Sequence, residues 1–451
     1  MSTIAETLAA KIARLSAATL PARVRSVADD LVLDVTGLCV AARNADYVAA
    51  TIDGLDSTGA CTAIGHEHTF DSAGAALING VAAHGEDFDD TFEGGPVHAG
   101  AVIVPAVFAA TERFGRDGRD ALLGLAVGVE VLCRLSLVAP MKVHKAGFHP
   151  TAVFGAIASA AAVGVALGLD ETQLASALGI AGSMASGIIE YLAEGTWTKR
   201  LHAGWAAQSG LRAALLARAG FIGPRTVFEG THGLFFGFAR STDVNYGALT
   251  ETFGAQWVTE TLAFKPYACG TMIHPYIDCA LRLAARGVTA ESIDTIVCEV
   301  AEGVVHRLWE PLAPKQAPPN AYAAKFSMPF CIAAGFVLGD AGLAAFTQDT
   351  VRDPRIRALA AKTNYVVDPA NPYPDNFTGH LRVRLKNGDI IEERQPHLRG
   401  GAHEPLSHAA IEAKFFANAA YGGWTRPESQ AARDMLADVF NTPINLSILA
   451  F

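Results

Sequence analysis

The run Thr151–Leu169 holds 19 residues without a single charge, and most of them are Ala, Gly and Val. A segment of that length and apolarity has two destinations, a lipid bilayer or the centre of a large helical core. A membrane span draws mainly on Leu, Ile and Phe. Small side chains instead let helix axes approach closely, as buried bundle cores require. Thr151–Leu169 is therefore expected as a buried central helix, with no membrane partner. The rest of the N-terminal half suits such a core. Apolar residues recur at helical spacing in Ala22–Ala42, Ala73–Phe88, Ala101–Phe114, Asp120–Ala139, Glu171–Tyr191 and Ala203–Ala219. Gly or Pro breaks separate most of these stretches.

The pattern changes after Lys265. Glu291–Val300 is strand-like, and His380–Lys386 alternates strictly, with Leu381, Val383 and Leu385 on one face and Arg382, Arg384 and Lys386 on the other. Asn387-Gly388 follows, then Ile390 and Ile391, which predicts a hairpin with a type I′ turn. Asn364–Val367 reads as a further strand, and Pro275–Arg286 and Ser327–Leu338 read as helices. Helical spacing returns at Ala409–Ala419 and Pro427–Phe440. The expected fold is mainly α. A large all-helical domain spans 1–265 and is completed by 400–451, and a smaller α+β domain with an antiparallel sheet spans 266–399. A chain of 451 residues is too long for one ordinary core. Its 51% hydrophobic content suits deep burial and an apolar oligomer interface.

Forty-five acidic against 35 basic residues give a net charge of −10, and no Lys/Arg run breaks that balance. A general nucleic-acid binder is excluded on those grounds. The seven cysteines are odd in number and form no CxxC pair, so a reducing cytoplasm is the expected location. The N-terminal stretch carries acid early and lacks the apolar core of a signal peptide. GxGxxG after a strand, GxxxxGK[ST], GxSxG and HExxH are all missing, and no three cysteines are spaced as cluster ligands.

Three constellations could carry chemistry. Ala83–Gly100 packs Glu86, Asp87, Asp89, Asp90 and Glu93 between His84 and His98. If the helix continues through Thr91, then His84, Asp87, Phe88 and Thr91 share one face, and Asp89 and Asp90 point elsewhere. The turn at Glu93-Gly94-Gly95-Pro96 then folds His98 back toward Asp87. In Gly147-Phe148-His149-Pro150, the proline suits a first helical position and makes His149 the N-cap. A helix N-terminus disfavours imidazolium, so a neutral His149 is a candidate general base. Thr196–His202 brings Lys199, Arg200 and His202 to the entry of a small-residue helix, a composition suited to carboxylate recognition. Lys265-Pro266-Tyr267-Ala268-Cys269 and His274 mark the domain junction.

Several motifs, taken in chain order, carry a family resemblance. They are Asp87-Phe88-Asp89-Asp90-Thr91 with His98-Ala99-Gly100, Phe148-His149-Pro150-Thr151, and Thr198-Lys199-Arg200-Leu201-His202-Ala203-Gly204. Ala263-Phe264-Lys265-Pro266-Tyr267 and Ala324-Lys325-Phe326-Ser327 complete the set. Together they resemble the MmgE/PrpD family over nearly the whole chain. The resemblance implies a homodimer with its site in a cleft near the domain junction. It also implies chemistry without a metal or organic cofactor on substrates with two or three carboxylates. The family's active-site positions fall on Asp87, Thr91, His98, His149, Lys199 and Lys265. Ala99 stands where many relatives have Pro. Gly270 and Phe330 stand where decarboxylase-like members carry His and Tyr, and both changes remove proton-transfer or hydrogen-bonding groups.

The expected activity is a cofactor-independent lyase that abstracts a proton next to a carboxylate. Dehydration of a 2-methylcitrate-like hydroxy acid comes first. Epimerisation of a dicarboxylate such as iminodisuccinate is the alternative, followed by cis-aconitate-type decarboxylation and a catalytically silent carboxylate-binding relative. In this scheme His149 is the base, and Lys199 and Lys265 hold carboxylates, with Lys199 also able to donate a proton. Asp87 orients His98, Thr91 donates a hydrogen bond, and Arg200 and His202 assist substrate binding. Asp89-Asp90-Thr91-Phe92-Glu93 also reads as the DDxxE motif of a magnesium-dependent prenyl-transfer enzyme, but no second acidic motif accompanies it.

Overall fold

Asp71, Asp117 and Asp170 each accept a hydrogen bond from the first turn of the helix they precede, and so set three of the main helix starts. The computed structural model describes residues 2–451. It divides into two compact units, Met1–Leu262 with His408–Phe451, and Ala263–Ser407. The principal helices of the first unit run in order α1 (Ala22–Ala42), α2 (Ser72–Gly85), α3 (Gly100–Phe114), α4 (Gly118–Val138), α5 (Pro150–Ala166), α6 (Glu171–Met184) and α7 (Thr198–Arg218). The second unit contributes α8 (His274–Ala285), β1 (Ile293–Val300), α9 (Met328–Leu338), β2 (Thr363–Val367), β3 (Gly379–Leu385) and β4 (Ile390–Gln395). The chain then returns to the first unit with α10 (His408–Tyr421) and α11 (Arg426–Ala437). The protein is thus mainly α, with a smaller α+β part.

Helix α5 is the centre of the first unit. Every residue in it except Val165 is buried, and it packs against α3, α4, α6 and α7. Helix α7 also packs along α2. Missing side chains permit these crossings. A Cβ at Gly80 would lie 2.5 Å from the Gly204 Cα, and a Cβ at Gly210 would lie 2.3 Å from the Ser159 Cβ. The long apolar α4 has the length and composition to cross a membrane, but most of it is buried inside the unit. Its Glu130–Arg134 ion pair (2.5 Å) is satisfied internally. Glu130 accepts from the Thr259 N–H, and Arg134 donates to the Ala248 and Gln256 carbonyls.

Two of the expected helices stop early. Helix α2 ends at Gly85 instead of Phe88, because Asp87 takes a left-handed backbone (φ 54°). Helix α6 ends at Met184 instead of Tyr191, and Gly187 beyond it has φ 116°. Helix α7 starts earlier than its small-residue run, so Lys199, Arg200 and His202 lie within its first turns.

In the second unit the strand order is β2-β1-β3-β4. β1 with β3 and β3 with β4 are antiparallel, as expected, but β1 and β2 are parallel, so the sheet is mixed. The helical segment containing α9 lies between β1 and β2 in the chain, and such a crossover is what a parallel pair needs. Leu381 and Val383 face the core from β3, where α8 covers the sheet. The β3–β4 turn differs from the expected type I′. Leu385 N–H donates to Asp389 O, and the left-handed residue is Gly388 (φ 95°), not Asn387. That is a three-residue loop with a G1-type bulge.

Helix α10 is anchored to α1 by charge. Lys414 Nζ lies 2.7 Å from Asp34 Oδ1, and His408 Nδ1 lies 2.7 Å from Asp30 Oδ1. Lys414 also donates to the Phe88 carbonyl at 2.7 Å. All seven cysteines are free and buried. A Cβ at position 204 would sit 2.2 Å from the Leu77 carbonyl oxygen, a backbone atom that cannot step aside. Gly204→Ala should therefore cost about 1–3 kcal/mol by overpacking. A drop in the thermal unfolding midpoint checks this, and an unchanged midpoint would show that α2 and α7 separate freely.

Candidate active site

Helix α2 delivers His84 in its last turn, and the left-handed Asp87 then reverses the chain. Asp tolerates this conformation better than most residues, because its short side chain finds local partners. The reversal returns Asp89 to His84, with Oδ2 2.7 Å from Nδ1. It sends the Asp87 carboxylate to Lys199 in α7, 2.7 Å away. The expectation that His84, Asp87 and Thr91 share a helical face is therefore corrected. Thr91 instead lies buried in the two-residue strand Thr91–Phe92.

Asp89 and Asp90 do not point away from the cluster. Both are fully buried within it. The Asp90 carboxylate accepts from the N–H groups of Ala99 (2.8 Å) and Gly100 (2.7 Å) at the start of α3. Orphan donors and the helix dipole favour an anion there. Burial, with the neighbouring Asp89 second, nevertheless pushes the Asp90 carboxyl up to about 7, the two N–H groups working against the rise.

The turn after Phe92 is closed by Gly95 N–H to Phe92 O (3.2 Å) and Phe92 N–H to Val97 O (3.1 Å). It brings His98 back to Asp90 and Asp89. His98 Nδ1 lies 2.7 Å from the Asp90 carbonyl oxygen and 3.6 Å from Asp89 Oδ1. A carbonyl only accepts, so Nδ1 of His98 carries a proton. The His98 N–H donates to Thr151 Oγ1 in α5, which ties the loop to the central helix.

His149 is the N-cap residue of α5, with Pro150 at its first position, as the sequence implies. Its N–H donates to Gly187 O (2.8 Å), while its side chain makes no capping bond. The ring is directed instead into a histidine cluster. It stacks on His84 at 5.8 Å between centroids, lies 6.5 Å from His98, and places Nδ1 3.1 Å from Nδ1 of His202. The Tyr191 ring closes on His149 (6.2 Å) and His202 (5.7 Å). Burial, reinforced by His84 and Lys199, holds the His149 pKa well below the usual histidine range. The same influences lower that of His202 to about 4. Both rings are therefore neutral at neutral pH, beside a lysine held by a carboxylate. That combination can take up a proton from carbon and hold a substrate carboxylate.

Asp87, His98, His149, Lys199 and His202 thus gather around one buried cluster. The Arg200 guanidinium donates to the Gly85 carbonyl (2.9 Å) and lies over the Tyr47 ring (4.3 Å). That contact fastens the end of α2. Lys265 is buried in the second unit. His84, Asp89, Asp90 and Tyr191 are the residues that the sequence left without a role. The five-residue step from His84 to Asp89 has no helical meaning, and the only cue was Gly85 as a breaker. His84, Asp89 and His98 also have ligand atoms within 4.8 Å of one another, so they are the residues that could hold a metal ion.

The chain matches the MmgE/PrpD N-terminal domain over residues 6–247 and the MmgE/PrpD C-terminal domain over residues 267–438. It is 31% identical over 360 residues to the cis-aconitate decarboxylase of Mus musculus, covering 76% of this chain and 71% of that protein. It is 28% identical over 392 residues to the cis-aconitate decarboxylase of Aspergillus terreus, covering 82% and 79%. It is also 28% identical over 406 residues to the cis-aconitate decarboxylase-like protein oryM of Aspergillus oryzae, covering 85% and 83%. With both domain descriptions matched in order along most of its length, the chain belongs to the MmgE/PrpD family.

Proposed function

We propose that this protein is a lyase acting on a small tricarboxylic acid, with cis-aconitate-type decarboxylation as its leading reaction. The observation that carries the proposal is the neutral, buried His149 ring among His84, His98 and His202, next to the Lys199–Asp87 pair. The names of the relatives move decarboxylation ahead of the dehydration that the sequence placed first. In such a reaction a C–C bond breaks as CO₂ leaves, and its electron pair ends in a new C–H bond. A histidine that takes a proton from solvent can supply it to that carbon. Lys199 would hold a carboxylate against the charge that develops.

Dehydration, or epimerisation of a dicarboxylate, is the second reading, favoured by Gly270 and Phe330. The position of Gly270 has room for a side chain, since its Cβ would meet nothing nearer than 3.5 Å. Phe330 is fully buried and offers no proton.

Proton NMR in D₂O with cis-aconitate, 2-methylcitrate, citrate and iminodisuccinate separates these reactions. Loss of a carboxylate from cis-aconitate supports the leading reaction. Loss of a hydroxyl marks a dehydratase, exchange without net conversion an epimerase, and inertness towards all four a silent carboxylate-binding relative. His149→Ala should lower kcat by about 10²–10⁴ on the accepted acid, and undiminished turnover would remove His149 from the chemistry. In the dehydration or epimerisation reading His149 acts as a base, which protonation silences, and its lowered pKa delays protonation as the pH falls. kcat/KM should therefore stay level through pH 6.5, the ordinary histidine value, and decline only below it. An acid limb at or above that value would contradict a buried neutral His149.

We also propose a homodimer in a reducing compartment, the latter on the strength of seven free, buried cysteines. Trp197 at the N-cap of α7, and Leu201 and Trp205 at the next four-residue steps within it, are 48%, 38% and 45% exposed. Such an apolar strip suits a second copy. Light scattering should give twice the chain mass, falling to the chain mass for Trp205→Glu, and a wild-type monomer would refute the dimer.

A further inference from the structure

We infer that His202 is a positioning residue that fixes which ring nitrogen of His149 is bare, and that it does so by accepting the His149 Nδ1 proton. The two Nδ1 atoms are 3.1 Å apart in a buried pair. At that distance two lone pairs repel and two N–H groups collide, so one proton lies between the nitrogens. With both rings neutral, the pair must hold opposite tautomers. One ring is Nδ1–H with a bare Nε2, and the other is Nε2–H with a bare Nδ1.

The proposed reaction selects the order. His149 sits at the head of α5, which disfavours added positive charge on it, and its ring faces His84 and His98 through the stack. Its Nδ1 is taken up by His202, so Nε2 is the nitrogen left for substrate. His149 can take up a proton on Nε2, from solvent or from carbon, only if that nitrogen is bare, which requires Nδ1–H on His149 and a bare Nδ1 on His202. Backbone contacts hold the acceptor in place. His202 lies in the first turns of α7, and a Cβ on Gly187 would come within 3.4 Å of its ring. Gly187 is also the residue whose carbonyl accepts the His149 N–H (2.8 Å). One short segment therefore sets both the ring and its partner.

The inference rests on His149 moving a proton through Nε2 in the proposed lyase, and it replaces direct substrate binding as the role of His202. An Asn side chain can put its amide oxygen where Nδ1 of His202 lies, whereas Leu offers no acceptor. On the accepted acid, His202→Leu should lower kcat about 100-fold or more, with KM nearly unchanged, and His202→Asn should recover most of that loss. Equal losses in the two variants would overturn the inference. The tautomers can also be read without turnover, from ¹⁵N–¹H correlations of ring-labelled histidine in the wild-type protein, assigned with single His→Asn variants. His149 as Nδ1–H and His202 as Nε2–H is the expected result, and His149 as Nε2–H would overturn it. The expected tautomers in a protein that converts none of the four acids would support the inference and refute the lyase proposal alone.

Discussion

The backbone contact between Gly80 and Gly204 is the constraint on which the site depends. It fixes how closely α2 and α7 approach, and the clustered polar groups sit just beyond that crossing. His84 and Asp87 lie one turn and more past Gly80, while Lys199 and His202 lie just before Gly204. The 2.7 Å Asp87–Lys199 pair exists because no Cβ holds the helices apart. The same logic applies at Gly210, where α7 approaches Ser159 in α5 and so brings His202 to His149. Small residues act here as a ruler that sets distances between side chains at the helix ends.

Collecting so many polar groups inside a core is costly unless each is matched. The match is local and directional. Asp89 faces the His84 ring, Asp87 faces Lys199, and Asp90 faces two peptide N–H groups. The histidines avoid the cost in another way, because burial keeps His149 and His202 uncharged. The cluster thus separates its charges at the acidic loop from its neutral rings at the heads of α5 and α7.

Much of the fold was legible in the sequence because helical periodicity is a local signal. So was His149, since Pro150 announces a helix start and leaves the preceding residue as the cap. Lys199 and His202 were legible as polar groups at the entry to an apolar helix. The acidic loop was not. Its shape turns on one left-handed residue, Asp87, and on partners more than 100 positions away, so helical spacing gave the wrong neighbours for Thr91. Strand pairing is equally non-local. Asn364–Val367 could be seen as a strand, but not that it runs parallel to β1. At Asn387-Gly388 the turn type changed with a single residue of loop length.

The Lys414 contact with the Phe88 carbonyl spans 326 positions. During synthesis from the N-terminus, α2 and the residues of the acidic loop emerge long before α10. That loop receives its anchor from α10 only after the whole second unit has been made. Helices α1 to α7 can assemble early, yet Phe88, between the two aspartates that face Lys199 and His84, must wait for Lys414. Completion of the site is in this sense a late event in the life of the chain, timed by the order of its sequence.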